Sequence, residues 1–258
     1  MSATELDKLR ERPAHGESLG GYRAVLRSME RWYFRSPASR FFAWLMSRKA
    51  RHLYEYAADQ LGGLPDGSRL ADIGCGHGTF LAIYLSRHPN VRGFGLDQSG
   101  ELIKFATAQA REAGVDAEFL VGDVHFAKLP EKAFDAMVST SSIYCWQDPV
   151  QALDNLYDAL KPGATFLLWE VLRADTLRDW WSMLFDLKVY GLSLPSYTEA
   201  EMRDFVARSR FKTAQVDIDR LFIRFTFTRP VEDDPSVIAT TAVVSEGPAS
   251  AGSAGSAV

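Results

Sequence analysis

Asp72-Ile73-Gly74-Cys75-Gly76-His77-Gly78-Thr79 is the stretch on which the fold turns. The run Arg69–Ile73 reads as a short buried strand, and Thr79–Arg87 reads as a helix. Between them, three glycines alternate with other residues. Glycine lets a backbone bend sharply and lets a ligand approach the main chain closely. The helix N-terminus beyond it offers unpaired amides to a carboxylate or a phosphate. A plain tight turn without a ligand would use the same residues. The dinucleotide fingerprint is G-x-G-x-x-G. Here the third glycine comes one residue early, and an acid, Asp72, precedes the first glycine by two positions.

Outward from this turn, strand and helix patterns alternate. Val91–Leu96 predicts a strand, and Ser99 caps a helix that Gly114 ends. Ala117–Val121 and Phe134–Ser139 predict strands. Pro149–Leu160 predicts a helix, stopped by Lys161-Pro162-Gly163, and Ala164–Val171 a further strand. Asp175–Tyr190 is helical in pattern, and Thr198-Glu199-Ala200-Glu201 is a capping box opening a helix to Ser209. Lys212–Ile218 and Leu221–Thr228 close the series. Only Asp219 and Arg220 separate this last pair, too few for a crossover helix, so they form an antiparallel hairpin. The expected fold class is therefore α/β. It is a doubly wound, mostly parallel seven-stranded sheet with a closing antiparallel hairpin and a helical N-terminal cap. The expected divisions are a cap over residues 1–60, the sheet domain over 61–230 and a disordered Gly/Ala/Ser-rich tail over 231–258.

Two further acids punctuate the strands. Asp97 ends the second strand, where a carboxylate can accept from both hydroxyls of a ribose; it can equally cap the next helix. Asp123 follows the third strand in Val121-Gly122-Asp123-Val124. It can accept from an adenine amino group while the Val124 amide donates to a ring nitrogen, or it can be a turn aspartate.

The ordered set Asp72-x-Gly74-x-Gly76-x-Gly78, Asp97, Gly122-Asp123, Phe134-Asp135 and Leu160-Lys161-Pro162-Gly163 resembles the class I S-adenosylmethionine-dependent methyltransferases. The resemblance covers residues 68–172, and the hairpin extends it to 228. It implies S-adenosylmethionine as cofactor. The turn of Gly74, Cys75, Gly76 and Gly78 would pack on its methionine part, with Asp72 near the amino group. It further implies that Asp97 holds the ribose with Gln98 flanking the adenine. Gly122, Asp123 and Val124 would read the base, and Thr140 would complete the cofactor shell. Ala164 and His125 depart from the family pattern, which commonly has a glycine and a small residue there.

Methyl transfer from a sulfonium needs alignment and desolvation above all, so sequence marks its catalytic groups poorly. His125 and Tyr144 are candidates for a base and an orienting group. His125 can equally be a surface or capping histidine. Tyr144 and Trp146, in the loop after the fourth strand, can contact an acceptor or lie buried beneath the next helix. Cys145 reads as a packing residue rather than a nucleophile. Glu170 can serve a substrate or an interior ion pair. Trp181 belongs to an apolar, aromatic segment, 180–194, placed where related enzymes carry a lid over the acceptor; core packing is the other reading. Such a lid suits a small apolar or aromatic acceptor methylated on O, N or C.

Composition bounds the rest. The chain has 258 residues, 47% apolar and 24% charged, with a net charge of −4. That balance disfavours nucleic acid as a partner. Residues 1–60 carry 11 basic and 7 acidic side chains, while residues 231–258 carry 4 acidic and no basic ones. Arg23, Arg27, Arg31 and Arg35 recur every four residues along a helix in the cap. This stripe is either a solvated face or a peripheral contact with an anionic membrane surface. The latter reading would make the acceptor a lipid head group. A non-catalytic module that keeps the cofactor site is a third reading, and a nicotinamide-dependent oxidoreductase is disfavoured by the early third glycine. The polar N-terminus does not read as a signal peptide, and two cysteines without a C-x-x-C pair point to a reducing, cytoplasmic setting. Nothing predicts a metal site, and the oligomeric state is left open.

Overall fold

The computed structural model describes residues 51–171, 197–219 and 222–231. The expected cap helices before residue 51, the segment around Trp181 and the tail from residue 232 lie outside them.

Seven strands form one sheet: β1 (Arg69–Ile73), β2 (Arg92–Asp97), β3 (Ala117–Val121), β4 (Phe134–Thr140), β5 (Leu160–Val171), β6 (Gln215–Asp219) and β7 (Phe222–Thr228). Their order is β3-β2-β1-β4-β5-β7-β6. β1 to β5 are parallel, whereas β7 runs antiparallel to β5 and to β6, the latter as a two-residue connection requires. Five helices are described: α1 (Arg51–Leu61), α2 (Thr79–Arg87), α3 (Gly100–Ala113), α4 (Pro149–Ala159) and α5 (Glu199–Arg208).

The sheet separates two apolar clusters, as parallel strands covered on both faces demand. On one face Leu70, Ala136, Val138 and Leu167 pack with α1 and α2 through Ala57, Ala58, Phe80, Leu81 and Tyr84. On the other, Ala71, Ile73, Leu96, Met137, Phe166 and Phe225 pack with α4 and α5 through Leu153, Leu156, Met202 and Val206. β1 lies inside the sheet between β2 and β4, and all its residues but Arg69 are buried. The end of β1 is therefore held from both sides, which gives the glycine turn a fixed base.

Local signals act as read. Ser99 caps α3 by accepting from the Leu102 amide, and Gly114 ends that helix in the left-handed region at φ 65°. The capping box of Thr198 and Glu201 is formed on both sides. Two boundaries differ by three residues or more. β5 starts at Leu160 rather than Ala164, because Leu160 pairs with Phe134 before the register shifts and resumes at Ala136–Thr165. The Lys-Pro-Gly segment is thus an irregularity at the start of a strand. β6 starts three residues late because Lys212 takes a left-handed φ of 61°.

Candidate functional site

All three turn glycines have positive φ: 73° at Gly74, 51° at Gly76 and 75° at Gly78. The reasons differ. A Cβ on Gly74 would lie 2.5 Å from the Cβ of Ser142, and one on Gly78 would lie 2.8 Å from that of Ala106. These two are close-packing glycines, locking the turn to the loop after β4 and to α3. Among the described residues, a Cβ on Gly76 would meet nothing within 4 Å. Gly76 is where the main chain stands open to a ligand. The amides of Gly74 and Cys75 both donate to the Leu96 carbonyl, at 2.7 and 3.0 Å, which ties the turn to β2.

Two carboxyls make the turn acidic. The Asp97 carboxylate accepts from the Gly76 amide at 2.9 Å and the Ser99 amide at 2.8 Å. Burial raises its pKa, and these two amides oppose the rise. Asp72 is 2% exposed, and its Oδ1 has no hydrogen-bond partner. Burial, and then the charge of Asp97, push its carboxyl up to about 8. Burial also pushes the Cys75 thiol well up, with Asp97 and Asp72 adding to it, so this cysteine is a poor nucleophile.

Two residues not singled out from the sequence stand here as well. The Tyr54 phenol, on α1, is raised by burial and by the charges of Asp72 and Cys75, which places it beside the same acids. Its ring meets His77 edge-on at 5.7 Å. Burial lowers His77 to about 4, so it is neutral, and its Nδ1 lies 2.7 Å from the Thr79 hydroxyl. His77 had a signal, its position between two of the glycines. Tyr54 had none, because its approach depends on how α1 packs.

The loops after β3 and β4 complete the rim. Gly122 donates to the Asp97 carbonyl at 2.9 Å, which sets the loop of Asp123 and Val124 beside the end of β2. His125 is buried, and both its ring nitrogens are engaged: Nδ1 with Asp123 Oδ1, and Nε2 with the Asp148 amide at 3.1 Å. It therefore presents no unshared lone pair in this arrangement, contrary to the reading of it as a base. Thr140 ends β4 beside Trp169 of β5. Beyond it Ser142 bonds to the Ser139 hydroxyl and the Ile73 carbonyl, and the Glu170 carboxylate accepts from the Ile143 amide at 3.0 Å. Glu170 thus fastens this loop by accepting from its backbone. Tyr144 is 6% and Trp146 4% exposed. Trp146 packs into the main core, and its carbonyl accepts from Tyr197, so the structure gives its burial reading rather than a free face for stacking. Cys145 is half-buried against the same core. Trp181 lies outside the described residues.

The family model described as a methyltransferase domain matches residues 71–168. Those residues form a class I S-adenosylmethionine-dependent methyltransferase domain. The domain is similar to an uncharacterized methyltransferase, YdaC, of Bacillus subtilis (27% identical over 120 residues, 46% of this chain and 65% of that one). It is also similar to a fatty-acid O-methyltransferase of Mycolicibacterium smegmatis (30% over 149 residues, 57% of this chain and 53% of that one). The chain thus spans between half and two thirds of these relatives' lengths. Among solved structures, a methyltransferase in complex with the Haloferax volcanii Trm112 methyltransferase activator shares the fold. Its TM-score is 0.60 at 21% identity, covering 76% of this chain and 97% of that one. Geranyl diphosphate C-methyltransferase of Streptomyces coelicolor, in complex with geranyl diphosphate and S-adenosylhomocysteine, gives a TM-score of 0.55 at 17% identity, covering 69% and 78%.

The methyltransferase domain's own geometry fits S-adenosylmethionine. A buried acid with an unpartnered oxygen suits an ammonium group, and the open face of Gly76 admits a close ligand. Asp97 has a carboxylate already fixed by two amides, the form needed to accept from a diol. Among the described residues no cluster of His, Cys, Asp and Glu could hold a metal ion, and no helix is long and apolar enough to cross a membrane.

Proposed function

We propose that this chain is an enzyme that transfers a methyl group from S-adenosylmethionine to a small, largely apolar or aromatic molecule. The observation that carries the cofactor reading is Asp72, a buried carboxyl with an unpartnered oxygen at the foot of a turn whose middle glycine is open. In this reading Asp72 receives the cofactor's ammonium, Asp97 its ribose, and Asp123 with the Val124 amide its adenine.

The bound cofactor would supply an activated methyl group on a sulfonium. The protein's part is then to align and desolvate. Alignment alone is worth about 7–11 kcal/mol in well-oriented reactions. The loop 141–146 is suited to that work. Ser142 pins it to β1, Glu170 pins it to β5, and Tyr197 pins it from outside the sheet. A rigid loop at the end of β4 can hold an acceptor in line without contributing a base.

The apolar acceptor is supported by the company the domain keeps. The relative that methylates a fatty acid on oxygen and the structural neighbour that methylates geranyl diphosphate on carbon both have acceptors with long apolar parts, by their names. Both cysteines are free, which supports a reducing, cytoplasmic setting.

A methyl-transfer screen tests the reading. The protein is incubated with methyl-labelled S-adenosylmethionine and a metabolite extract, split into apolar and polar fractions. Label is expected in a small product of the apolar fraction. Label confined to the polar fraction would overturn the acceptor class, and binding of NAD in place of S-adenosylhomocysteine would overturn the cofactor.

A further inference from the structure

The loop between β3 and β4 carries no described helix, yet it presents Asp123, the residue assigned above to the adenine. Something other than a helix must hold it still. α4 does so at two places. Asn155 donates from Nδ2 to the carbonyls of Val124 and Ala127, at 2.7 and 3.1 Å. Asp148, which caps α4 by accepting from the Val150 and Gln151 amides at 3.1 Å each, gives its own amide to His125 Nε2 at 3.1 Å.

That last bond fixes a proton. A backbone amide can only donate, so Nε2 supplies its lone pair, and the neutral ring carries its hydrogen on Nδ1. Nδ1 then donates to Asp123 Oδ1, the same oxygen that accepts from the His125 amide at 3.0 Å. Two donors from one residue hold one carboxylate oxygen. The carboxylate cannot rotate without losing both. The ring is nearly enclosed, at 5% side-chain exposure, whereas the Asp123 side chain is 42% exposed. The holder is therefore dry, and the carboxylate that it holds is only partly buried.

We infer that His125 is a positioning residue for base recognition. It orients the Asp123 carboxylate as an acceptor aimed at a 6-amino purine and, through Asp148, ties that selection to the helix after the acceptor-side loop. A purine with a 6-oxo group has no amino hydrogen to give and would face a fixed acceptor, so it is rejected. This inference rests on the assignment of Asp123 to the adenine.

Its test compares binding of S-adenosylhomocysteine and S-inosylhomocysteine by calorimetry in the full chain and in H125A, H125N and H125Q. Asparagine places an N–H near the position of Nδ1 and keeps the donor to Asp123. Glutamine reaches the position of Nε2 and keeps only an acceptor for the Asp148 amide. The expected result is a preference for the adenine ligand that falls about tenfold in H125A and H125Q and stays within about threefold in H125N. Nitrogen chemical shifts should place the ring proton on Nδ1 in the parent chain. Equal preference in all four proteins, loss in H125N as large as in H125A, or a proton on Nε2 would each overturn the inference. A parent chain that binds both ligands equally would overturn the Asp123 assignment and this inference with it. A parent chain that binds neither would overturn the cofactor reading itself. Should H125A fail to fold, the contrast between H125N and H125Q still decides.

Discussion

The amide of Gly76 donates to the Asp97 carboxylate at 2.9 Å, across the gap between the glycine turn and the end of β2. The acid assigned to the ribose is thus also a structural member of the turn. Asp97→Ala removes the acceptor for both the Gly76 and Ser99 amides. Leaving two such amides unpaired costs about 1–3 kcal/mol each where water is excluded, less where it enters. Urea unfolding should therefore show a loss of about 2 kcal/mol, and calorimetry at least a tenfold loss of S-adenosylhomocysteine affinity. Asp97→Asn keeps one carbonyl oxygen for one amide and should fall between. Unchanged affinity in Asp97→Ala would remove Asp97 from the site.

Much of this was written in local sequence. β1 and α2 have the limits read from Arg69–Ile73 and Thr79–Arg87, because an apolar run meeting a glycine-rich turn leaves little choice. Ser99, Gly114 and the Thr198–Glu201 box act where they stand, because capping involves neighbours within four residues. Contacts between distant residues were not legible. The Phe134–Leu160 pair that starts β5 early joins strands 26 residues apart. Periodicity showed that Trp146 is apolar, but not that it packs into the core. Likewise, nothing near His125 announces the Asp148 amide that occupies its second nitrogen.

Gly74 and Gly76 should separate in mutants. Gly74→Ala forces a Cβ to 2.5 Å from Ser142, and relief requires the loop after β4 to move. A loss of about 3 kcal/mol or more is expected, from the clash and the positive φ together. Gly76→Ala meets no atom of the described residues and bears the strain of φ 51°, about 1 kcal/mol. Its damage should appear instead in cofactor affinity, because the new methyl occupies the open face. Thermal melts and calorimetry on the two variants check this. A Gly76→Ala protein that binds S-adenosylhomocysteine normally would show that the ligand does not approach that residue.

The Asp72 carboxyl, held at about 8, makes stability depend on pH in a definite direction. In an unfolded chain an aspartate titrates near about 4. Between those values the folded state keeps a proton that the unfolded state has released. The stabilisation is full below about pH 4 and is lost as the pH rises through about 8. Asp72→Asn, which cannot ionise, should lack this slope. Urea unfolding of both proteins from pH 5 to 9 should show the parent chain losing stability relative to the variant. Parallel curves would mean that Asp72 is already ionised without ligand. An incoming ammonium favours the carboxylate, so cofactor binding near pH 7 should release protons. Binding heats in buffers of different ionisation enthalpy would count them. Asp97, Tyr54 and Cys75 influence or surround the same carboxyl, so the Asn variant is needed to assign the proton.

Arg229 provides a contrast at the opposite end of the sheet. It is 3% exposed, and its Nη1 donates to the carbonyls of Tyr157, Asp158 and Leu160 at 2.8, 3.1 and 2.7 Å. The guanidinium also lies 4.8 Å from the centre of the Tyr157 ring. A cation at a helix C-terminus answers carbonyls that have no partner within the helix. Here it closes α4 just where β5 begins irregularly, next to the backbone bonds between Arg229 and the Gly163–Ala164 segment. Arg229→Ala should cost about 2–4 kcal/mol. Arg229→Lys should recover only part of that, since one ammonium lacks the planar fork and its stacking. β7 pairs Thr228 with Thr165, near the start of β5, whereas Thr140 meets Trp169 near its end. Affinity for S-adenosylhomocysteine should therefore be unchanged in variants that remain folded. An affinity loss without a stability loss would contradict this placement and would show that the α4 C-terminus is coupled to the site.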